Sequence, residues 1–243
     1  MDTKQRILDA AEQMFAEHGF DGASLRSITG AAGVNLAAVN YHFKSKEALV
    51  QAVLARKLGP INRRRMELLD AYEAEAGSKP VALEKLLYAM IGPMLLMDTA
   101  PASAGMRFGT VMGRVYLERD VKLQRLLIEE LRDVIRRVVG AIRRTLPGLP
   151  PQELYWRLFF TIGAVSHTLA ASDMLTLISG GACEPSDPES TLERLVAYVV
   201  PAFRAPLPER LQKEVRRKKG VVAAGNVRRQ RQKAEGGPAD RRL

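Results

Sequence analysis

The run SLRSITGAAGVNLAAVNYHF (24–43) sets one glycine between two short apolar periodicities, and this constrains the chain more than any other feature. Before Gly33, Leu25, Ile28 and Ala32 recur at spacings of three and four and share one helix face. After it, Val34, Val39 and Phe43 do the same. Two helices meeting at roughly 90–120° need a tight turn, and glycine tolerates the left-handed backbone there. Ser24 suits the N-cap of the first helix, Asn35 that of the second, and Ser45 that of a third run, KSKEALVQAVL, with Glu47 placed to suit its dipole. Upstream, Ile7, Leu8, Ala11, Met14 and Phe15 predict a helix over 3–18 that Gly19 ends.

No strand pattern persists beyond this unit. Helices are expected near 46–75, 80–98, 102–118, 121–145, 151–179 and 190–204, with breaks at GSKP (77–80), TAP (99–101), PGLPP (147–151) and GGACEPSDP (180–188). The fold class is therefore all-α: a three-helix N-terminal domain over 1–48, a six-helix domain over 49–205 and a basic, structureless tail over 206–243. Gly59-Pro60 falls inside the helix from Lys46, where proline removes a hydrogen bond and crowds the carbonyl of Arg56. Either that helix kinks there or it ends and another begins. Arg63, Arg64 and Arg65 read as a solvated face.

The formal charge of +10 suggests a nucleic-acid partner, yet 206–243 holds twelve Lys/Arg against four Asp/Glu, a net of +8. Residues 1–50 carry five Lys/Arg and six Asp/Glu, so the N-terminal unit has no cationic excess. Binding to a polyanion would rest on the placement of a few cations, with a shallow salt dependence. Basic runs such as RRKK (216–219) and RRQR (228–231) either add sequence-blind affinity or form a solvated extension. The single Cys183 excludes an intramolecular disulfide and fits a reducing cytoplasm. The most apolar stretch, 158–172, would reach about 22 Å as a helix, short of a bilayer core of about 30 Å, so no membrane partner is expected. His18, His42 and His167 lack metal-ligand spacing, and neither a nucleophile elbow nor a phosphate-binding glycine loop is present. The reading is not an enzyme, with no cofactor and no metal.

Ile7, Ala10, Ala11, Phe15, Gly19, Ala32, Gly33, Val34, Tyr41, His42, Phe43, Lys46 and Leu49 together resemble the N-terminal domain of the TetR family of transcriptional regulators. Thr29 departs from the alanine more usual there, and its hydroxyl can turn to a nearby carbonyl. The resemblance implies a repressor that binds double-stranded operator DNA as a homodimer and releases it when a small molecule binds. The helix after Gly33 would be the recognition helix, with Asn35, Ala37, Ala38, Asn40, Tyr41 and Lys44 outward. Asn40 could read an adenine edge, and Ala37 and Ala38 could touch thymine methyls. Tyr41, His42, Lys44 and Lys46 suit phosphates, as do Ser24 and Arg26 at the first helix's start. Tyr41 and His42 could instead pack the three-helix unit.

In the larger domain, Met90, Met94 and Met97 surround Gly92-Pro93, and Met106, Phe108, Val111, Met112 and Tyr116 follow on the next expected helix. Methionine adapts to apolar guests but also fills ordinary cores. Arg107 and Arg114 could meet an anionic ligand group or pair with acids of the fold. Arg157, beside Trp156, suits an ion pair, and His167 an interior site. Gly163, Ala164, Ser166, Ala170, Ala171 and Ser172 allow close helix approach. The family resemblance implies a four-helix dimer seam including Leu169, Asp173, Leu177, Leu195, Val196, Val199 and Phe203. The stretch GVNLAAVNYHFKSKEALVQAVLARKLGP, Met106-Arg107 and LPPQELYWRLFFTIGA are similar to the fatty-acid-responsive PsrA group. That similarity implies release by a long-chain fatty acid or acyl-CoA, with Trp156 and Phe160 added to the lining. The alternative is an efflux or detoxification regulator answering another hydrophobic molecule.

Overall fold

A computed structural model describes residues 2–96, 121–213 and 217, and among them every regular element is a helix. The first is α1 (Thr3–Gly22), capped by the Asp2 side chain. Gly19 interrupts it at φ 74°, so the expected stop is a kink followed by one further turn. That turn is held because Phe20, beyond the glycine, stacks on Phe15 with centroids 4.9 Å apart. Next come α2 (Leu25–Ala32) and α3 (Leu36–Phe43), capped by Ser24 and Asn35. Thr29 sends its hydroxyl to the Arg26 carbonyl at 3.0 Å. Ile7, Ala11, Phe15, Ile28, Val39, Phe43 and Leu49 close the core of this unit.

Ser45 caps α4 (Lys46–Ala76), which runs unbroken through Pro60. Of the two readings of Gly59-Pro60, an end is excluded. The helix survives because its inner face is pinned on both sides of the proline: Val53, Leu54, Leu58, Ile61 and Leu69 are all buried. Glu12 of α1 is buried, and it lies against both Arg56 and Lys57 of α4, while Asp9 accepts from Arg56 at 2.7 Å. A carboxylate out of water is tolerable only when its charge is matched in this way.

The remaining helices are α5 (Leu83–Leu96), α6 (Val121–Thr145), α7 (Pro151–Ala170), α8 (Ser172–Ile178) and α9 (Pro188–Arg204). Both α5 and α6 pack on α4. Arg137 of α6 pairs with Glu73 at 2.8 Å and with Asp70, and Asn62 donates to the Glu130 carbonyl at 3.1 Å. Gly92 lets α9 close on α5, since a Cβ there would stand 3.2 Å from Leu192 Cδ2. The helix expected over 102–118 lies outside the described residues.

Several expectations are corrected. The single helix over 151–179 is two, bent by 77° at Ala171 (φ −133°, ψ 32°). No residue of α8 is buried, so nothing holds that extension in line with α7. No single described helix is long and apolar enough to cross a membrane. Arg65 is buried rather than solvated, although Arg63 and Arg64 are exposed. His167 is exposed, not interior. Arg157 donates to the Phe203 carbonyl, tying α7 to the end of α9. Of the residues expected at a dimer seam, Leu195, Val199 and Phe203 are buried within the protomer, because that face of α9 completes its own core. Leu169 and Val196 are half-buried, whereas Asp173 and Leu177 are exposed.

Residues Met1–Phe203 form one compact unit and Arg204–Leu243 a second. In the second, 209–213 form a helical turn in which Gln212 donates to Leu207 and Pro208 carbonyls, so the expected structureless tail opens with local order.

Replacing Glu12 by Gln keeps its volume but leaves Arg56 and Lys57 facing a neutral amide. The two cations are about a quarter exposed, so the loss should be about 2 kcal/mol rather than the full cost of a stranded buried charge. Urea unfolding followed by circular dichroism measures it.

Candidate nucleic-acid interface and ligand cavity

The turn between α2 and α3 is built from backbone bonds. Gly33 is left-handed (φ 61°, ψ 39°). The Val34 N–H reaches the Thr29 carbonyl at 3.0 Å and the Gly33 N–H reaches Gly30 at 3.2 Å, the paired bonds of a Schellman stop. At the other end of α2, Ser24 Oγ accepts from the Ser27 N–H at 3.0 Å, and Ser27 Oγ returns a bond to the Ser24 N–H. Asn35 Oδ1 accepts from the Ala38 N–H at 2.9 Å.

The expected DNA contacts therefore divide. Ala37, Asn40 and Tyr41 on α3 are exposed, Tyr41 by 82%, and none of them serves the core. This excludes the packing reading for Tyr41. His42 is half-buried, edge-on to Tyr41 at 5.1 Å. Ala38 is also half-buried, against the core, so it presents less surface than expected. Ser24 and Asn35 spend an oxygen each on capping, while Arg26 is exposed. Lys46 turns its ammonium to the Asp21 carbonyl at 3.4 Å. Lys44 is exposed at φ 65°, the one non-glycine residue with positive φ among those described. Strain of this kind, of order 1–3 kcal/mol, tends to persist where a side chain has a task. Asp9 and Glu12, two of the acids counted against the N-terminal unit, are matched by Arg56 and Lys57 from α4.

Sequence reasoning overlooked one residue here. Arg6 of α1 donates from Nη2 to the Ala32 and Gly33 carbonyls at 2.6 and 2.9 Å. Only the folded chain brings positions 26 and 27 residues apart together, so no local signal announces it.

A cavity of about 690 Å³ opens between α4, α5, α6 and α7, within the range of small-molecule sites. Met90, Met94 and Trp156 line it. Phe160 does not, but stacks on Trp156 with centroids 5.6 Å apart. Met97, Arg107, Phe108, Val111, Met112, Arg114 and Tyr116 lie outside the described residues. Among the described lining residues, Arg65 is the one charged side chain, with Leu58, Ile128, Val134 and Phe159 in the surrounding apolar wall. Arg65 is 5% exposed; Nε donates to the Met90 carbonyl and Nη1 to Asn62 Oδ1, both at 2.9 Å. A signal for it existed, since Leu58, Ile61, Arg65 and Leu69 follow the spacing of one inward face.

Two family models match the chain: "Bacterial regulatory proteins, tetR family" over residues 7–53, and "Tetracyclin repressor-like, C-terminal domain" over 88–202. The chain belongs to the TetR family. Like the family's other members it is a transcriptional regulator with a helix-turn-helix, not an enzyme. The HTH-type transcriptional regulator UidR of Escherichia coli K12 is 42% identical over 52 residues, 21% of this chain and 26% of that protein. The regulator SrpR of Pseudomonas putida is 43% identical over 60 residues, 25% of this chain and 28% of that one. The match thus spans about a quarter of the length of these curated relatives. Among solved structures, NalD, the secondary repressor of the MexAB-OprM multidrug efflux pump in Pseudomonas aeruginosa, superposes with a TM-score of 0.57 at 21% identity, covering 82% of this chain and 94% of that one. FadR from Bacillus subtilis in complex with stearoyl-CoA gives 0.51 at 20% identity, covering 79% and 97%. At these identities the structural likeness concerns the TetR fold alone.

Gly33 meets two separate demands, a left-handed backbone and the nearness of Arg6, whose Nη2 would lie 2.8 Å from a Cβ. Gly33→Ala should therefore lower stability by about 1–2 kcal/mol from the backbone, with the exposed arginine shifting aside at little cost in stability. A urea titration beside Gly30→Ala, where a Cβ meets nothing within 4 Å, isolates the effect; equal stability of the two variants would refute it.

Proposed function

We propose that this TetR-family chain is a repressor that binds a palindromic operator as a homodimer and is released by a hydrophobic effector with an anionic end, a long-chain fatty acid or its CoA thioester. The observation that carries the DNA-binding half is the exposed row Ala37, Asn40 and Tyr41 on α3, which the fold does not use. An α-helix with such a row fits the major groove, where asparagine can bond adenine through two hydrogen bonds. A two-fold dimer would present this helix twice.

For the effector, the support is the character of the cavity. Its described wall is apolar and aromatic with one buried guanidinium, Arg65. A carboxylate or phosphate is what a guanidinium binds best, and an acyl chain suits the rest. Arg65 and Leu58 lie on α4, the helix whose Arg56 and Lys57 hold Glu12 of the reading head. Effector pressing on that wall would thereby change the spacing of the paired recognition helices. A hundredfold loss of operator affinity requires about 2.7 kcal/mol of differential binding between the two forms.

Two sets of measurements test this. With a duplex enriched by the protein from a randomised pool, Asn40→Ala should lose about 1–3 kcal/mol of discrimination against random DNA. Lys44→Gly should relieve the strained backbone, weaken all duplexes alike and flatten the salt slope by about one. Retention of full affinity by both variants would remove α3 as the reading helix. Oleate and oleoyl-CoA titrated into the protein–duplex complex should release it, and Arg65→Met should raise the oleate needed by roughly tenfold or more while leaving release by methyl oleate unchanged. No release by either anionic compound leaves a DNA-binding regulator answering some other hydrophobic molecule.

A further inference from the structure

The last turn of a helix leaves its final carbonyls without helical donors. At the end of α2, the Schellman bonds satisfy Thr29 and Gly30. The Ala32 and Gly33 carbonyls lie beyond that stop, and both accept from Arg6 Nη2, at 2.6 and 2.9 Å. These carbonyls belong to the peptide planes on either side of the Gly33 Cα. Fixing the two planes fixes φ and ψ of Gly33, and those angles set the direction in which the chain leaves α2 for α3. A cation is well suited to the task, because the C-terminal end of a helix is the negative end of its dipole and charge-assisted bonds are short and directional.

The anchor at the other end is rigid. Ile7, next to Arg6, and Ala11 are fully buried in the core of the three-helix unit. Position 33 completes the fit, since any side chain there would intrude on Nη2. Arg6 itself is exposed, so its bonds contribute little to global stability. Their effect is on orientation.

We propose that Arg6 is a positioning residue for base recognition: clamped on the Ala32 and Gly33 carbonyls, it sets the angle at which α3 is presented to DNA, without contacting the DNA itself. This rests on the DNA-binding reading above. The competing role for an exposed arginine on this unit is a phosphate contact, and the two roles differ in their salt dependence. Neutralising a phosphate contact weakens specific and random duplexes alike and flattens the salt slope by about one. Losing a positioning clamp weakens only the interaction that depends on register with the bases.

The experiment uses the full chain with Arg6→Met, which keeps an unbranched stem and helix propensity, and Arg6→Lys, which keeps a donor. Affinities for a duplex enriched by the wild-type protein and for a random duplex of equal length are read by fluorescence anisotropy between about 50 and 200 mM salt. Arg6→Met should weaken the enriched duplex roughly tenfold, with random-duplex affinity, salt slope and melting temperature close to wild type, and Arg6→Lys should recover part of the loss. In the free protein, amide exchange at Gly33 and Val34 should accelerate in Arg6→Met. A slope reduced by about one with both duplexes weakened alike would assign Arg6 to a phosphate and overturn the proposal. Undiminished discrimination, or unchanged exchange at Gly33 and Val34, would overturn it equally. If the wild-type protein enriches no duplex, the DNA-binding reading itself fails, and exchange alone then decides whether the clamp exists.

Discussion

The structure depends on a carboxylate held out of water. Glu12 sits inside the contact between α1 and α4, and its charge is matched by Arg56 and Lys57. Those cations offset the desolvation of an acid that the apolar contact between α1 and α4 takes out of water. With them, the helix-turn-helix is mounted on α4. The same helix turns Leu58 and Arg65 into the cavity wall, and at 1.5 Å per residue the interval from Arg56 to Arg65 is about 14 Å. The reading head and the cavity are thus attached to one rod at neighbouring places. Pro60 lies within that interval and removes one rung of its hydrogen-bond ladder, leaving the least reinforced turn of α4 between its two attachments.

How much of this was legible in the residues depends on the range over which each feature is set. Ser24, Asn35 and Ser45 act on backbone groups a few residues away, and all three cap the helices they were expected to cap. Gly33 is legible for the same reason, because a left-handed stop is a local requirement. Gly19 was half legible: the glycine does break the helix, but the turn beyond it forms because Phe20 finds Phe15. Pro60 could be read either way from sequence, and burial on both sides of it decides for continuity. The bend at Ala171 was not legible, since Ala170 and Ala171 are good helix formers and only the lack of any buried partner for α8 shows where the rod gives way.

Long-range charges were least legible. A run of three arginines reads as solvated, yet the third turns inward while its neighbours face water, because one residue in such a run falls in line with Leu58, Ile61 and Leu69. The methionines were more informative: Met90 and Met94 lie at the cavity. Their aromatic neighbours divide, since Trp156 lines it and Phe160 stands outside. For the seam between protomers, periodicity identified apolar positions on α9 but could not say which neighbour they face. Leu195, Val199 and Phe203 face their own chain.

Trp156 has a consequence of another kind. It is the only tryptophan in the chain, half exposed at the mouth of the cavity and stacked on Phe160. All indole emission from this protein therefore originates at that mouth. Its colour and intensity will depend on how much water stands there, which makes the native chain an unlabelled optical gauge of occupancy.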